Sequence, residues 1–95
     1  MHTVVRHYTG SSKLVDELVS READVRRLIS EVDGFVAYYL IRTDDGGVSI
    51  SVYRDAGGTA ESTKRAAEYI KENLEGVAAG PPEIIEGESV ISFTA

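Results

Sequence analysis

The run Phe35-Val36-Ala37-Tyr38-Tyr39-Leu40-Ile41 has no water-facing row. A strand with one wet side alternates apolar and polar residues, so a run that is apolar on both sides belongs to a sheet that wants cover on both faces. The chain has 95 residues, enough for one domain with one modest core. It offers two helices, which cover one face of a sheet. The other face then calls for a second copy of the chain, and the expected assembly is a homodimer. Size points the same way, because a domain this small removes only about 60 to 65% of its unfolded surface on folding.

Composition narrows the function classes. The chain contains no cysteine, which removes disulfides, thiolate chemistry and zinc ribbons. Its start, MHTVVRHYTG, lacks the apolar core of a signal peptide. No apolar run approaches the roughly 18 to 20 residues of a membrane span, so a cytoplasmic protein without membrane association is expected. The net charge of -6 argues against nucleic acid as a partner, since such binding rests on lysines and arginines neutralising phosphates. Arg21, Arg26 and Arg27 alternate with Glu17, Glu22, Asp24 and Glu31, the pattern of a solvated helix face rather than a basic patch.

Punctuation by glycine, serine and aspartate divides the rest. Thr3 to Thr9 is rich in β-branched and aromatic residues and reads as a first strand, ended by Gly10. Ser11 and Ser12 offer N-caps, and Leu14, Leu18, Val25, Leu28 or Ile29, and Val32 form the stripe of one long amphipathic helix. Asp33-Gly34 closes it. Asp44-Asp45-Gly46-Gly47 marks a hairpin between the second and third strands. A two-residue loop at Asp45-Gly46 pairs Arg42 with Ser49, Leu40 with Ser51 and Tyr38 with Tyr53; a three-residue loop reverses the match. The opposite face, Phe35, Ala37, Tyr39 and Ile41 against Val48, Ile50, Val52 and Arg54, is the more apolar and is expected under the helices. Thr59 caps a second helix reaching Leu74, with Thr63, Ala66 or Ala67, Ile70 and Leu74 facing the sheet. Val77 to Pro82 is an irregular connector, and Glu83 to Thr94 is a last strand interrupted at Glu86-Gly87-Glu88. The predicted fold class is α+β: a single ferredoxin-like βαββαβ domain over residues 1–95, with a four-stranded antiparallel sheet and two helices on one face.

Gly34-Phe35 leading into a tyrosine-bearing strand, the Asp/Gly hairpin, and Val52-Tyr53-Arg54-Asp55 running into a capped helix resemble the dimeric α/β-barrel superfamily that includes the antibiotic biosynthesis monooxygenase domain. The resemblance covers nearly the whole chain and rests mainly on the order of elements. It implies a homodimer with two sheets face to face, helices outside, and a small-molecule pocket in each subunit between sheet and helices. Active oxygenases of the superfamily often carry a tryptophan near the end of the third strand, and haem-degrading members a histidine on the second helix. This chain has no tryptophan and no histidine between Thr59 and Leu74. No cofactor is therefore expected.

The residues give three functional expectations. The first is a homodimeric protein binding a small aromatic or apolar metabolite, with Tyr8 and Tyr39 lining the pocket and Val36, Tyr38, Leu40 and Tyr53 at the dimer interface. The second is a cofactor-independent monooxygenase acting on a phenolic or polyketide-like substrate, with His7, Tyr53 and Arg54 as catalytic residues. The third is a non-catalytic structural or regulatory module using the edge of its last strand. No metal site is expected, because His2 and His7 stand five positions apart on a strand and point to opposite faces.

Overall fold

The computed structural model of the protein describes residues 1–78 and 80–95. Its elements are β1 (His2–Thr9), α1 (Lys13–Ser20), α2 (Glu22–Ser30), β2 (Phe35–Thr43), β3 (Gly46–Tyr53), α3 (Ala56–Asn73) and β4 (Glu83–Glu88). The four strands form one antiparallel sheet in the order β2-β3-β1-β4. This is the ferredoxin-like arrangement expected from the sequence, with the helices packed on one face. Among the described residues, no helix is long and apolar enough to cross a membrane.

The single long helix expected after Gly10 is two helices. Arg21, at φ -113° and ψ 31°, ends α1, and its carbonyl starts α2 by accepting from the Val25 amide at 3.0 Å. The apolar stripe leaves a gap between Leu18 and Val25, and the phase of the helix slips there without a glycine or proline to mark it. Leu14, Val15 and Leu18 of α1 and Val25 and Ile29 of α2 are buried. Gly34, at φ +83°, then turns the chain into β2 in a conformation that side-chain-bearing residues rarely adopt.

The hairpin is centred on Asp44-Asp45, with Thr43 opposite Gly46. Arg42, Leu40 and Tyr38 therefore face Gly47, Ser49 and Ser51, two residues away from the expected pairing. A shift of two keeps every residue on its own face. The Thr43 hydroxyl fixes the turn by donating to Asp45 Oδ1 at 2.7 Å. At the other end of the hairpin, Val36 is an extra residue between Phe35, opposite Tyr53, and Ala37, opposite Val52. This bulge leaves Phe35 on the same face as Tyr38 and Leu40.

That face is the helix-covered one, which inverts the expected assignment. Tyr8, Leu18, Val25, Ile29 and Tyr53 belong to the core cluster, with Phe35, Tyr38 and Leu40 packed against it. The other face carries Tyr39, which is 58% exposed, Ile41, and Ile85, which is 63% exposed. Tyr39, Ile50, Val5 and Ile85 are cross-strand neighbours in a row that spans all four strands of this uncovered face.

Helix α3 begins three residues before Thr59. Asp55 is its N-cap, with the carboxylate accepting from the Gly58 amide at 3.2 Å, while Thr59 is buried one turn in. Gly58 sits against the Tyr53 ring so closely that a Cβ there would lie 2.6 Å from Tyr53 Cβ. Tyr53 is 0% exposed, and its hydroxyl donates to the Ile29 carbonyl at 2.6 Å, tying the end of β3 to the end of α2. Of the connector expected over Val77 to Pro82, Ala79 lies outside the described residues. β4 stops at Glu88, earlier than expected, although the Ser89 amide still donates to the Met1 carbonyl at 2.8 Å. Beyond it Val90, Ile91 and Phe93 are almost fully exposed.

Candidate functional site

A cleft of about 670 Å³ opens between the α1–α2 pair and β2. Phe35, Tyr38 and Leu40 project from β2 to form its floor, and Leu18, Val25 and Ile29 close it from the helices. Its walls are apolar and its mouth is charged. Arg42 of β2 reaches Asp16 of α1 at 2.6 Å, and Arg26 pairs with Glu22 at 3.1 Å. These pairs are exposed and contribute little to stability. The volume lies within the usual range for small-molecule sites, which combine apolar walls with a few fixed polar groups.

The deepest polar group near the cleft is one that sequence reasoning missed. Arg6, on the helix-facing side of β1, is 1% exposed. Its Nε donates to Thr63 Oγ1 at 3.1 Å, Nη1 to Ser49 and Ser51 at 3.3 and 3.1 Å, and Nη2 to Ser62 at 2.7 Å. All four partners are neutral hydroxyls. Burial pulls the guanidinium below its usual pKa, opposed by the neighbouring Tyr8 and Tyr38. Burial also pushes the Tyr8 phenol up and that of Tyr38 up to about 12, so both are neutral donors at ordinary pH. A small chamber of about 20 Å³ touches Arg6, Tyr8 and Ser49. Leu18, Val25, Ile29 and Tyr38 line both chamber and cleft. The available signal was alternation: Arg6 shares a strand face with Val4 and Tyr8, and Ser49 and Ser51 share one with Tyr53, polar residues in step with apolar core positions.

The expected catalytic residues do not assemble. His7 lies on the uncovered face, where Nε2 is 3.1 Å from Asp45 Oδ2. Hydrogen bonds from Thr43 and His7 hold the Asp45 carboxyl below its usual range. Tyr53 is at the far end of the sheet, opposite His2 rather than His7, five residues or roughly 17 Å along the strands. Arg54 is exposed beyond it, lining a separate polar groove with Glu31 and Asp55. His2 proves the more enclosed histidine, with Nδ1 3.0 Å from Thr59 Oγ1, on the side of the sheet away from His7.

The other site residues divide as well. Tyr8 lines the chamber beside Arg6, whereas Tyr39 projects from the uncovered face, away from the cleft. Of the residues expected at a subunit interface, Tyr38 and Leu40 form the cleft floor and Tyr53 is in the core; Val36 alone is exposed, at the bulge. Among the described residues, no group of three histidine, cysteine or acidic side chains is placed to hold a metal ion.

No protein-family model matches the chain, and no curated protein matches it by sequence. Solved structures match it in fold. The heme-degrader MhuD from Mycobacterium tuberculosis, solved with two hemes bound in its active site, superposes with a TM-score of 0.72 at 15% identity, over 99% of this chain and 100% of that one. A monooxygenase from ActVA-Orf6 of Streptomyces coelicolor, in complex with Nanaomycin D, gives 0.66 at 20% identity, over 99% and 90%. A protein of unknown function from Nitrosomonas europaea gives 0.70 at 14% identity, over 99% and 92%. The fold is thus a ferredoxin-like α+β domain, shared with these structures.

Proposed function

We propose that the protein is a homodimeric binding protein for a small aromatic or otherwise apolar metabolite, held in the cleft between α1–α2 and β2. The observation that carries the reading is the cleft itself: about 670 Å³ of space with Phe35, Tyr38 and Leu40 as an aromatic and aliphatic floor. Two structures of similar fold, one solved with two hemes bound and one in complex with Nanaomycin D, support a small-molecule ligand by analogy of architecture.

The second subunit is proposed for the uncovered face. Tyr39, Ile50, Val5 and Ile85 form an apolar row there, and Val90, Ile91 and Phe93 are exposed in the segment after β4. Burial of that surface by a second copy supplies apolar contact that a chain this small lacks by itself. His7 stands at the opposite end of the sheet from Tyr53 and Arg54, so no oxygenase mechanism is assigned to the three.

Native mass spectrometry of freshly purified protein tests both parts. The expected result is twice the chain mass, with a fused-ring probe such as 2-naphthamide retained by the protein and lost from Leu40→Trp, which fills the cleft. A monomer with no concentration dependence at micromolar levels removes the dimer, and equal retention by Leu40→Trp removes the cleft.

A further inference from the structure

We propose that Arg6 is an anion receptor at the end of the cleft, and that the ligand is an apolar acid whose ionised oxygen enters the small chamber against its guanidinium. The inference rests on the reading of the cleft as a binding site and adds the charge of what it binds.

The first argument is the absence of a counter-ion. The chain has 16 acidic residues against 10 basic ones, yet no carboxylate among the described residues lies within ion-pairing distance of Arg6; Glu86 of β4 acts on it only from further off, and its half-exposed carboxylate accepts from Thr59 Oγ1 instead. The side chain cannot escape its charge near neutral pH. A cation removed from water is costly unless it is paired, and neutral hydroxyls offset only part of that cost. Apolar side chains replacing Arg6 and its hydroxyl partners together would fill such a site without this cost. Packing alone therefore gives no reason for arginine at this position.

The second argument is geometric. The guanidinium has five N–H groups; Thr63, Ser49, Ser51 and Ser62 take four of them, and the remaining Nη2 N–H has no acceptor among the described residues. The chamber beside it, at about 20 Å³, has room for about one water or one oxygen atom and none for a ring. Leu18, Val25, Ile29 and Tyr38 bound both spaces, and in the proposed pose a ring in the cleft sends a single substituent between these side chains into the chamber. Tyr38, which lines both spaces, adds a phenol that burial keeps neutral at pH 7. A chamber lined by a guanidinium and a neutral phenol matches an oxyanion better than a carbonyl, since bonds to a charged acceptor are the stronger ones.

Calorimetry with 2-naphthoate and 2-naphthamide, which share a ring and differ in charge, tests the inference at pH 7. Wild-type protein is expected to bind naphthoate tighter by about tenfold or more. Arg6→Met should erase that preference and keep naphthamide binding. The Arg6 Nε–H NMR resonance of the unmodified protein provides a readout independent of the variant's folding. It should move on adding naphthoate and stay on adding naphthamide. Equal or tighter binding of naphthamide by wild type, an unchanged preference in a folded Arg6→Met, or an unmoved resonance at saturating naphthoate overturns the inference and leaves the cleft standing. Binding of neither probe overturns the cleft, and the inference with it.

Discussion

On the face under the helices, the middle of the sheet is polar: Ser49, Ser51 and Arg6 sit where a small domain ordinarily keeps its most apolar side chains. On the uncovered face, the middle is Tyr39, Ile50, Val5 and Ile85. The covered side draws its apolar burial from around the polar centre, through Val4, Tyr8 and Tyr53 on the strands and Leu14, Leu18, Val25 and Ile29 on the helices. The contrast teaches that apolarity alone does not say which face of a two-sided sheet meets its own helices. The face proposed for another copy of the chain is the oilier one, and the proposed site lies on the other.

The two faces make separable predictions. The largest effect is expected on the uncovered face, where Ile50→Asp sets an unpaired carboxylate at the centre of the proposed subunit contact. Analytical ultracentrifugation should show the dimer weakened about a hundredfold or more; an unchanged dimer would place the contact elsewhere and break the comparison. On the covered face, Gly58→Ala forces a methyl group into the Tyr53 ring and should cost about 1–3 kcal/mol in urea unfolding. The same stability with an intact Tyr53–Ile29 hydrogen bond would show that α3 can stand further off.

Alkaline pH sharpens the contrast within the tyrosines. Tyr38 has its folded pKa raised from 10.0 to about 12 by burial. A raised pKa means the folded state holds its proton the tighter, so this contribution is full below about pH 10 and is lost as pH rises towards about 12. Urea unfolding at pH 9 and pH 11.5 should show that loss, and Tyr38→Phe should reduce it. The smallest effect is expected from His7→Ala on the uncovered face. It removes an exposed partner of Asp45 and should leave both melting temperature and naphthamide affinity unchanged; a lost affinity would bring His7 back to the site.

The order of elements was legible because glycine and short polar residues punctuate it, as at Gly10, Gly34 and the Asp44–Gly47 turn. Which residues share a face was legible too from Ala37 to Arg42, since a period of two survives a register error of two. The side each face turned to was not. Phe35, Tyr39, Ile41, Val48, Ile50 and Val52 look like one core row in sequence, yet the Val36 bulge takes Phe35 out of that row and the helices cover the other. The site was missed for a related reason. Histidine drew attention as the group that titrates near neutral pH, whereas Arg6 gains its interest only from being enclosed by Ser49, Ser51, Ser62 and Thr63, two of which come from a helix distant in sequence. Enclosure is a property of the assembled layers, and alternation in β1 gave only its direction.

The bulge at Val36 also sets where this chain can change length. Removing Val36 would leave Ala37 opposite Val52 and Phe35 opposite Tyr53 as ordinary consecutive pairs, so the strand would keep its reading frame and lose only an irregularity. Removing one residue between Tyr38 and Arg42 would shift that frame, turning either the cleft floor or its lead-in to the opposite side of the sheet. A strand that must satisfy two different clients thus has one position where a deletion is silent to both.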